Sequence, residues 1–167
     1  MAKYVRYKDV QGIEKWGMVN QDGSFFMEIE GDPCGTFSVT SKAVDPDGVK
    51  ILPPCQPSKI VAVGLNYMGH AKEMNMKIPE EPVLFIKPAT ALIGHMDNIY
   101  YPKQTQNLHY EAELAAVIKN DIKDIEEDMV DRNVLGYTCL NDVTARDLQK
   151  KDGQWTRAKC FDTFAPI

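Results

Sequence analysis

The sequence predicts a mainly β chain with some helix, of the α+β class, on three observations. Short β-branched and aromatic segments alternate with glycine-containing turn signals near the start, and period-2 alternation runs through residues 108–118. Helix-forming character is confined to a few later stretches.

In order along the chain, KYVRYKDVQGIEKWGMVNQDGSFFMEIEGD is punctuated by QG, QDG and EGDP, which predicts a small meander of short strands. ILPPCQPS, residues 51–58, concentrates three prolines and is hard to place inside a helix or central strand, so it predicts a linker. The boundary falls near Pro57, giving a small N-terminal β-domain over 1–57 and a second domain over 58–167.

The second domain opens with KIVAVGL, a buried-strand candidate, then NYMGHAKEMNM as a short helical or loop segment, a proline-bounded strand in PEEPVLFIKP and a short strand at TALIG. In LHYEAELAAVI, residues 108–118, alternation puts Leu108, Tyr110, Ala112, Leu114, Ala116 and Ile118 on one apolar face and His109, Glu111 and Glu113 on the other. DIEEDMVDRNV predicts a helix over 124–134 with Ile125, Met129 and Val130 near one face. GYTCLNDVTARDLQKKD reads as a strand passing through Asn141 and Asp142 into a helical stretch. AKCFDTFAPI is apolar and strand-like, and predicts a chain that stops within a domain.

Length and composition set bounds on function. The 167 residues, 44% of them hydrophobic, suffice for one ordinary core. With 24 acidic against 19 basic residues and no dense Lys/Arg stripe, a nucleic-acid partner is not expected. The start lacks a signal-peptide apolar region and no run reaches membrane-spanning length, so a cytoplasmic location and no membrane partner are expected. Cys34, Cys55, Cys139 and Cys160 form no C-x-x-C pair and are read as free thiols; with three histidines and no H-E-x-x-H, hard oxygen ligation fits better than zinc.

Glu111 and Glu113 are spaced so that two carboxylates converge on a divalent cation, which takes oxygen ligands and offsets their repulsion. Asp142, at a strand end beside Asn141, which is placed to orient it, is the candidate third acid. A solvated acidic face on an edge strand has the same pattern. His70 and Glu73 stand i, i+3, where a carboxylate orients an imidazole as a base for water; a surface pair on a helix reads alike. Lys159 and Lys87 lie in apolar settings where a fixed cation would face an anionic substrate, or from which each would snorkel to solvent. Gly64, next to Asn66 and Tyr67, permits a tight turn against a ligand. No G-x-G-x-x-G or P-loop points to a nucleotide cofactor.

GLNYMGHAKE, PVLFIKP, HYEAELAAVI, GYTCLNDVTARD and QWTRAKCFDTFAPI, in this order and spacing, resemble the fumarylacetoacetate hydrolase family over residues 59–167, and the preceding segment resembles the small β-domain of some bacterial members. The resemblance implies a twisted β-roll that binds Mg²⁺ or Mn²⁺ through Glu111, Glu113 and Asp142. It implies a water-activating dyad of His70 and Glu73, Lys159 facing the substrate's oxygens, and a pocket lined by Asn66, Tyr67 and Lys87. The implied reaction is hydrolysis of a C–C bond in a small 2,4-dioxo acid such as an acylpyruvate. Decarboxylation or isomerisation of 2-hydroxy-diene dioic or oxaloacetate-like acids is the alternative. Members are commonly dimers, so a homodimer is expected. Members also continue beyond F-D-T-F-x-P, so an inactive metal-binding or oligomer-forming module is the alternative from another class.

Overall fold

The computed structural model describes residues 2–69, 77 and 79–167. The predicted meander is an antiparallel sheet of five strands, β1 (Tyr4–Lys8), β2 (Glu14–Val19), β3 (Phe26–Gly31), β4 (Phe37–Val44) and β5 (Lys50–Leu52), in the order β4-β3-β2-β1-β5. Its turns fall on the glycine signals, with Gly12, Gly23 and Gly31 all at positive φ. Gly31 is doubly constrained, because a Cβ there would lie 2.4 Å from the Thr36 carbonyl oxygen. Tyr7, Phe26 and Ile29 are buried together as a small core, with the Tyr7 and Phe26 rings 4.8 Å apart.

After the proline segment, β6 (Lys59–Gly64) and β7 (Val83–Pro88) form an antiparallel pair. β8 (Leu92–Ile93) pairs in parallel with β13 (Ala165–Pro166), β9 (Leu108–His109) pairs with β12 (Thr144–Ala145), and β10 (Ala112–Ile118) pairs with β11 (Val134–Asn141). Short helices follow in the C-terminal half: α1 (Val130–Asn133), α2 (Arg146–Asp152) and α3 (Thr156–Lys159). A core of Ala91, Val143, Ala145, Leu148, Ala158, Phe164 and Ala165 lies beneath the last two. The segment Asp142–Arg146 is therefore buried along its whole length, a setting in which every polar group needs a partner.

Two expectations are corrected. The stretch 108–118 is not one strand: pairing breaks at Tyr110 and Glu111, where the Asn141 side-chain oxygen accepts from the Glu111 N–H at 3.0 Å and the Glu111 carbonyl accepts from the Asp142 N–H at 2.8 Å. Its apolar face also points outward, with Tyr110 82% and Leu114 67% exposed, while Glu111, Glu113, Ala115 and Val117 turn in. The helix predicted over 124–134 begins only at Glu127, as a 3₁₀ turn leading into α1, because Glu126 is extended and offers no side-chain cap. Ile125, Met129 and Val130 are exposed rather than packed on the core.

A candidate active site of paired carboxylates and buried cations

A cleft of about 500 Å³ opens where β6, the β9–β10 break, β11 and the two C-terminal helices meet. One wall is apolar, formed by Val63, Gly64, Phe85 and Trp155. The other carries Glu111, Glu113, Asp142, Arg146 and Lys159. The tertiary fold thus brings the three predicted carboxylates and Lys159 into one space, with Asn66 and Tyr67 on its rim. His70 and Glu73 lie outside the described residues.

Each carboxylate is held differently. Asp142 Oδ1 accepts from Lys87 Nζ at 2.6 Å, and Oδ2 accepts from Lys159. Glu111 Oε1 accepts from the Arg146 guanidinium, and Oε2 from Lys159 Nζ at 2.8 Å. The Lys159 ammonium also donates to Thr144 Oγ1 at 2.9 Å, so all three of its protons are used. Its charge lies 4.9 Å from the centre of the Phe85 ring, whose face favours a cation.

Burial pushes the Glu111 carboxyl up, but Lys159 and Arg146 outweigh it and hold the group below the usual glutamate range. Glu113 goes the other way. Burial, then the Asp142 and Glu111 charges, push its carboxyl above that range, and the Tyr67 hydroxyl offsets part of the rise. Among the described residues Glu113 forms no ion pair.

Lys87 does not join the cleft wall. Its ammonium is fully buried beneath it and donates to Asp142 Oδ1, the Lys159 carbonyl at 2.6 Å and the Val143 carbonyl at 3.3 Å. Burial pushes this lysine below its usual range, with Asp142 opposing the fall. The reason for the inward course is β7 itself, which places Lys87 on the face packed against Asp142–Thr144, where three acceptors saturate a charge that would otherwise be costly to bury.

Other assignments change in detail. Asn141 orients the Glu111 backbone rather than the Asp142 side chain. The left-handed residue beside the cleft is Leu65, at φ 54, not Gly64. Gly64 is needed for packing instead, because a Cβ there would fall 2.3 Å from the Trp155 ring. Arg146 and Trp155 line the cleft, although the sequence assigns neither a role, and His109, on the acidic face of its segment, lines it too. The arginine of T-A-R-D is visible as part of a motif, but helical spacing alone does not show that it reaches Glu111, 35 positions earlier. The aspartate of that motif, Asp147, accepts from the Thr105 hydroxyl and from the Gln106 N–H at 3.0 Å, tying the preceding loop to the start of α2.

The donor set, three carboxylates on one cleft, is the chemistry a hard divalent cation takes. As the side chains stand, no three His, Cys, Asp or Glu groups among the described residues are gathered closely enough to hold an ion. The Lys159 ammonium stands between Glu111 and Asp142. The residue types fit the group, and Lys159 fills the space between two of them.

A β-rich fold carrying a buried carboxylate–lysine cluster beside an aromatic wall defines a class of small-molecule site, and similarity to known proteins identifies the family. Residues 59–167 match the fumarylacetoacetate (FAA) hydrolase C-terminal family, and residues 2–54 match the Rv2993c-like, N-terminal family. The chain belongs to the fumarylacetoacetate hydrolase family. An uncharacterized protein of Archaeoglobus fulgidus is 56% identical over 140 residues, spanning 80% of this chain and 56% of that protein. The mitochondrial oxaloacetate tautomerase fahd2 of Xenopus laevis is 44% identical over 70% of this chain and 37% of its own length. The crystal structure of 2-hydroxyhepta-2,4-diene-1,7-dioate isomerase from Mycobacterium marinum superposes with a TM-score of 0.85 at 37% identity, covering 99% of this chain and 64% of the isomerase. The twisted β-roll is thus shared with solved members. The chain spans about half the length of the curated relatives it matches.

Proposed function

We propose that this chain carries the site of an enzyme that stabilises the enolate of a small 2-oxo or 2,4-dioxo acid and hydrolyses a C–C bond in it. One observation carries the reading: two carboxylates, Glu111 and Asp142, are each tied to a fixed cation on one oxygen and share Lys159 on the other. A divalent cation, Mg²⁺ or Mn²⁺, held by Glu111, Glu113 and Asp142 would supply Lewis-acid polarisation of the 2-oxo group.

The chain's own residues do the rest. Lys159 presents a positive charge to the oxygen on which negative charge develops, in a space dried by Phe85 and Trp155. Asn66 and Tyr67 bind and orient the acid from the rim. His70, oriented by Glu73, takes a proton from water as its oxygen adds to the distal carbonyl. The C–C bond next to that carbonyl then breaks, its electron pair passes to the enolate, and a carboxylic acid and a pyruvate-type enol leave.

Isomerisation or tautomerisation on the same site is the second reading, favoured by the Mycobacterium marinum isomerase and the Xenopus laevis tautomerase. The electron sink is common to both, and delivery of water separates them. A soluble, self-associating enzyme working in the cytoplasm is the setting proposed; among the described residues no helix is long and apolar enough to cross a membrane.

The test is turnover of acetylpyruvate, of enol-oxaloacetate and of a 2-hydroxy-diene dioic acid by this chain with Mn²⁺ or Mg²⁺, beside a Glu111→Ala/Glu113→Ala double variant. Release of acetate and pyruvate, lost in the variant, supports the hydrolase. Conversion of only the other two substrates establishes the isomerase reading, and no metal-dependent conversion of any of them overturns both.

A further inference from the structure

The cations around the cleft are of two kinds. Lys87, from beneath the cleft, and Arg146, on its wall, each hold one carboxylate oxygen. Lys87 is fully buried and has spent its protons on Asp142 Oδ1 and two backbone carbonyls, and Arg146 is braced by a bond from Nη1 to Gln149 Oε1 at 2.7 Å. Neither has another place to go. The oxygens they leave, Asp142 Oδ2 and Glu111 Oε2, both meet Lys159 Nζ, and the neutral hydroxyl oxygen of Thr144 is the third acceptor at the same point. Lys159 differs from Lys87 in lining the cleft, and from Arg146 in bonding both carboxylates at once.

We propose that Lys87 and Arg146 are positioning residues that hold one oxygen each of Asp142 and Glu111, so that the remaining oxygens converge on a single cation position, which Lys159 and a divalent cation occupy in turn. Without its anchor, a carboxylate rotates and can offer both oxygens to Lys159; with it, each acid is a one-oxygen donor aimed at one point. When a divalent cation takes that point, the Lys159 ammonium is displaced into the cleft, where it meets the substrate. This inference rests on the metal assignment proposed above, and its readout is metal binding rather than turnover.

The experiment is a Mn²⁺ titration of the 167-residue chain, read by the electron paramagnetic resonance of unbound Mn²⁺, for the unaltered protein and for Lys87→Met, Arg146→Met and Lys159→Met. Each variant removes one positive charge near the ion, and Coulomb's law alone predicts that all three bind Mn²⁺ more tightly. The positioning role predicts opposite signs. Lys87→Met and Arg146→Met weaken Mn²⁺ binding by about 10–100-fold, the usual loss when a group orienting a metal ligand is removed. Lys159→Met tightens it by about tenfold or more, because a competitor of the same charge is gone.

Melting curves without metal establish that each variant is folded. If Lys87→Met does not fold, Arg146→Met, whose side chain reaches the cleft wall, carries the same test. Tightening in all three variants, or weaker binding in Lys159→Met, overturns the inference while leaving the metal assignment intact. Absence of Mn²⁺ binding in both the unaltered chain and Lys159→Met overturns the metal assignment and the inference with it.

Discussion

Two carboxylates in this molecule are each gripped by a pair of lysines, and they differ in what surrounds them. On the N-terminal sheet, Glu28 Oε2 alone accepts from Lys15 Nζ at 3.1 Å, Lys42 Nζ at 2.9 Å and the Tyr7 hydroxyl at 2.9 Å, and the Lys42 side chain is largely in water. At the cleft, Asp142 gives one oxygen to Lys87 and the other to Lys159, with all three side chains buried. Water solvates any lysine that leaves Glu28. No water replaces Asp142 for Lys87, so the same residue types make a weak surface cluster in one place and a rigid frame in the other.

The largest expected effect follows from removing the buried acid. Asp142→Ala strands two ammonium groups, one of them fully buried, and should cost about 3–5 kcal/mol of stability. A urea melt beside the unaltered chain measures it. A loss no larger than that of a surface substitution would erase the distinction between the two clusters.

A smaller effect of opposite sign sharpens the comparison within the cleft. Glu111 has its folded carboxyl lowered, so the stability it contributes is present above the ordinary glutamate range and is lost as pH falls below it. Glu113 has its folded carboxyl raised, so its ionised form opposes folding at neutral pH and the penalty disappears as pH falls through the raised value. Glu113→Gln should therefore stabilise the chain modestly at pH 7, by about 1 kcal/mol or less for a half-buried group, and the gain should vanish in melts near pH 4. Destabilisation at pH 7 would mean that Glu113 has a cationic partner besides the Tyr67 hydroxyl.

The smallest change is expected on the N-terminal sheet. Glu28→Gln keeps an acceptor for the Tyr7 hydroxyl and gives up only partly screened ion pairs, so it should shift stability by about 0.5–1 kcal/mol. Mn²⁺ binding, measured on the same protein, should not move. A drop comparable to that of Asp142→Ala would make the sheet cluster as much a frame as the cleft.

Much of the molecule is legible in the sequence. The glycine turns, the proline break and the strand runs in KIVAVGL and LFIKP follow from local backbone preferences that tertiary contacts do not override. The carboxylates and Lys159 stand out because acids two apart in a strand, and a lysine in apolar company, need partners. The partners themselves are not legible. Lys87 reads as a cleft residue until β7 is seen to turn it inward. Arg146 looks like an ordinary first-turn arginine until α2 is placed over Glu111, and Trp155 has no visible role until Gly64 is found beneath its ring.

The sequence by itself determined that Glu111 and Glu113 share one side of an extended segment and that Leu114 and Ile118 share the other, because side chains alternate in any extended backbone. Only the tertiary structure decided which side faces in. Alternation is symmetric between the two faces and does not by itself say which one is buried. The choice was made by cations that arrive from far along the chain, Lys159 48 positions from Glu111 and Lys87 55 positions from Asp142. Their buried charges require the acids more than Leu114 and Ile118 require shelter from water.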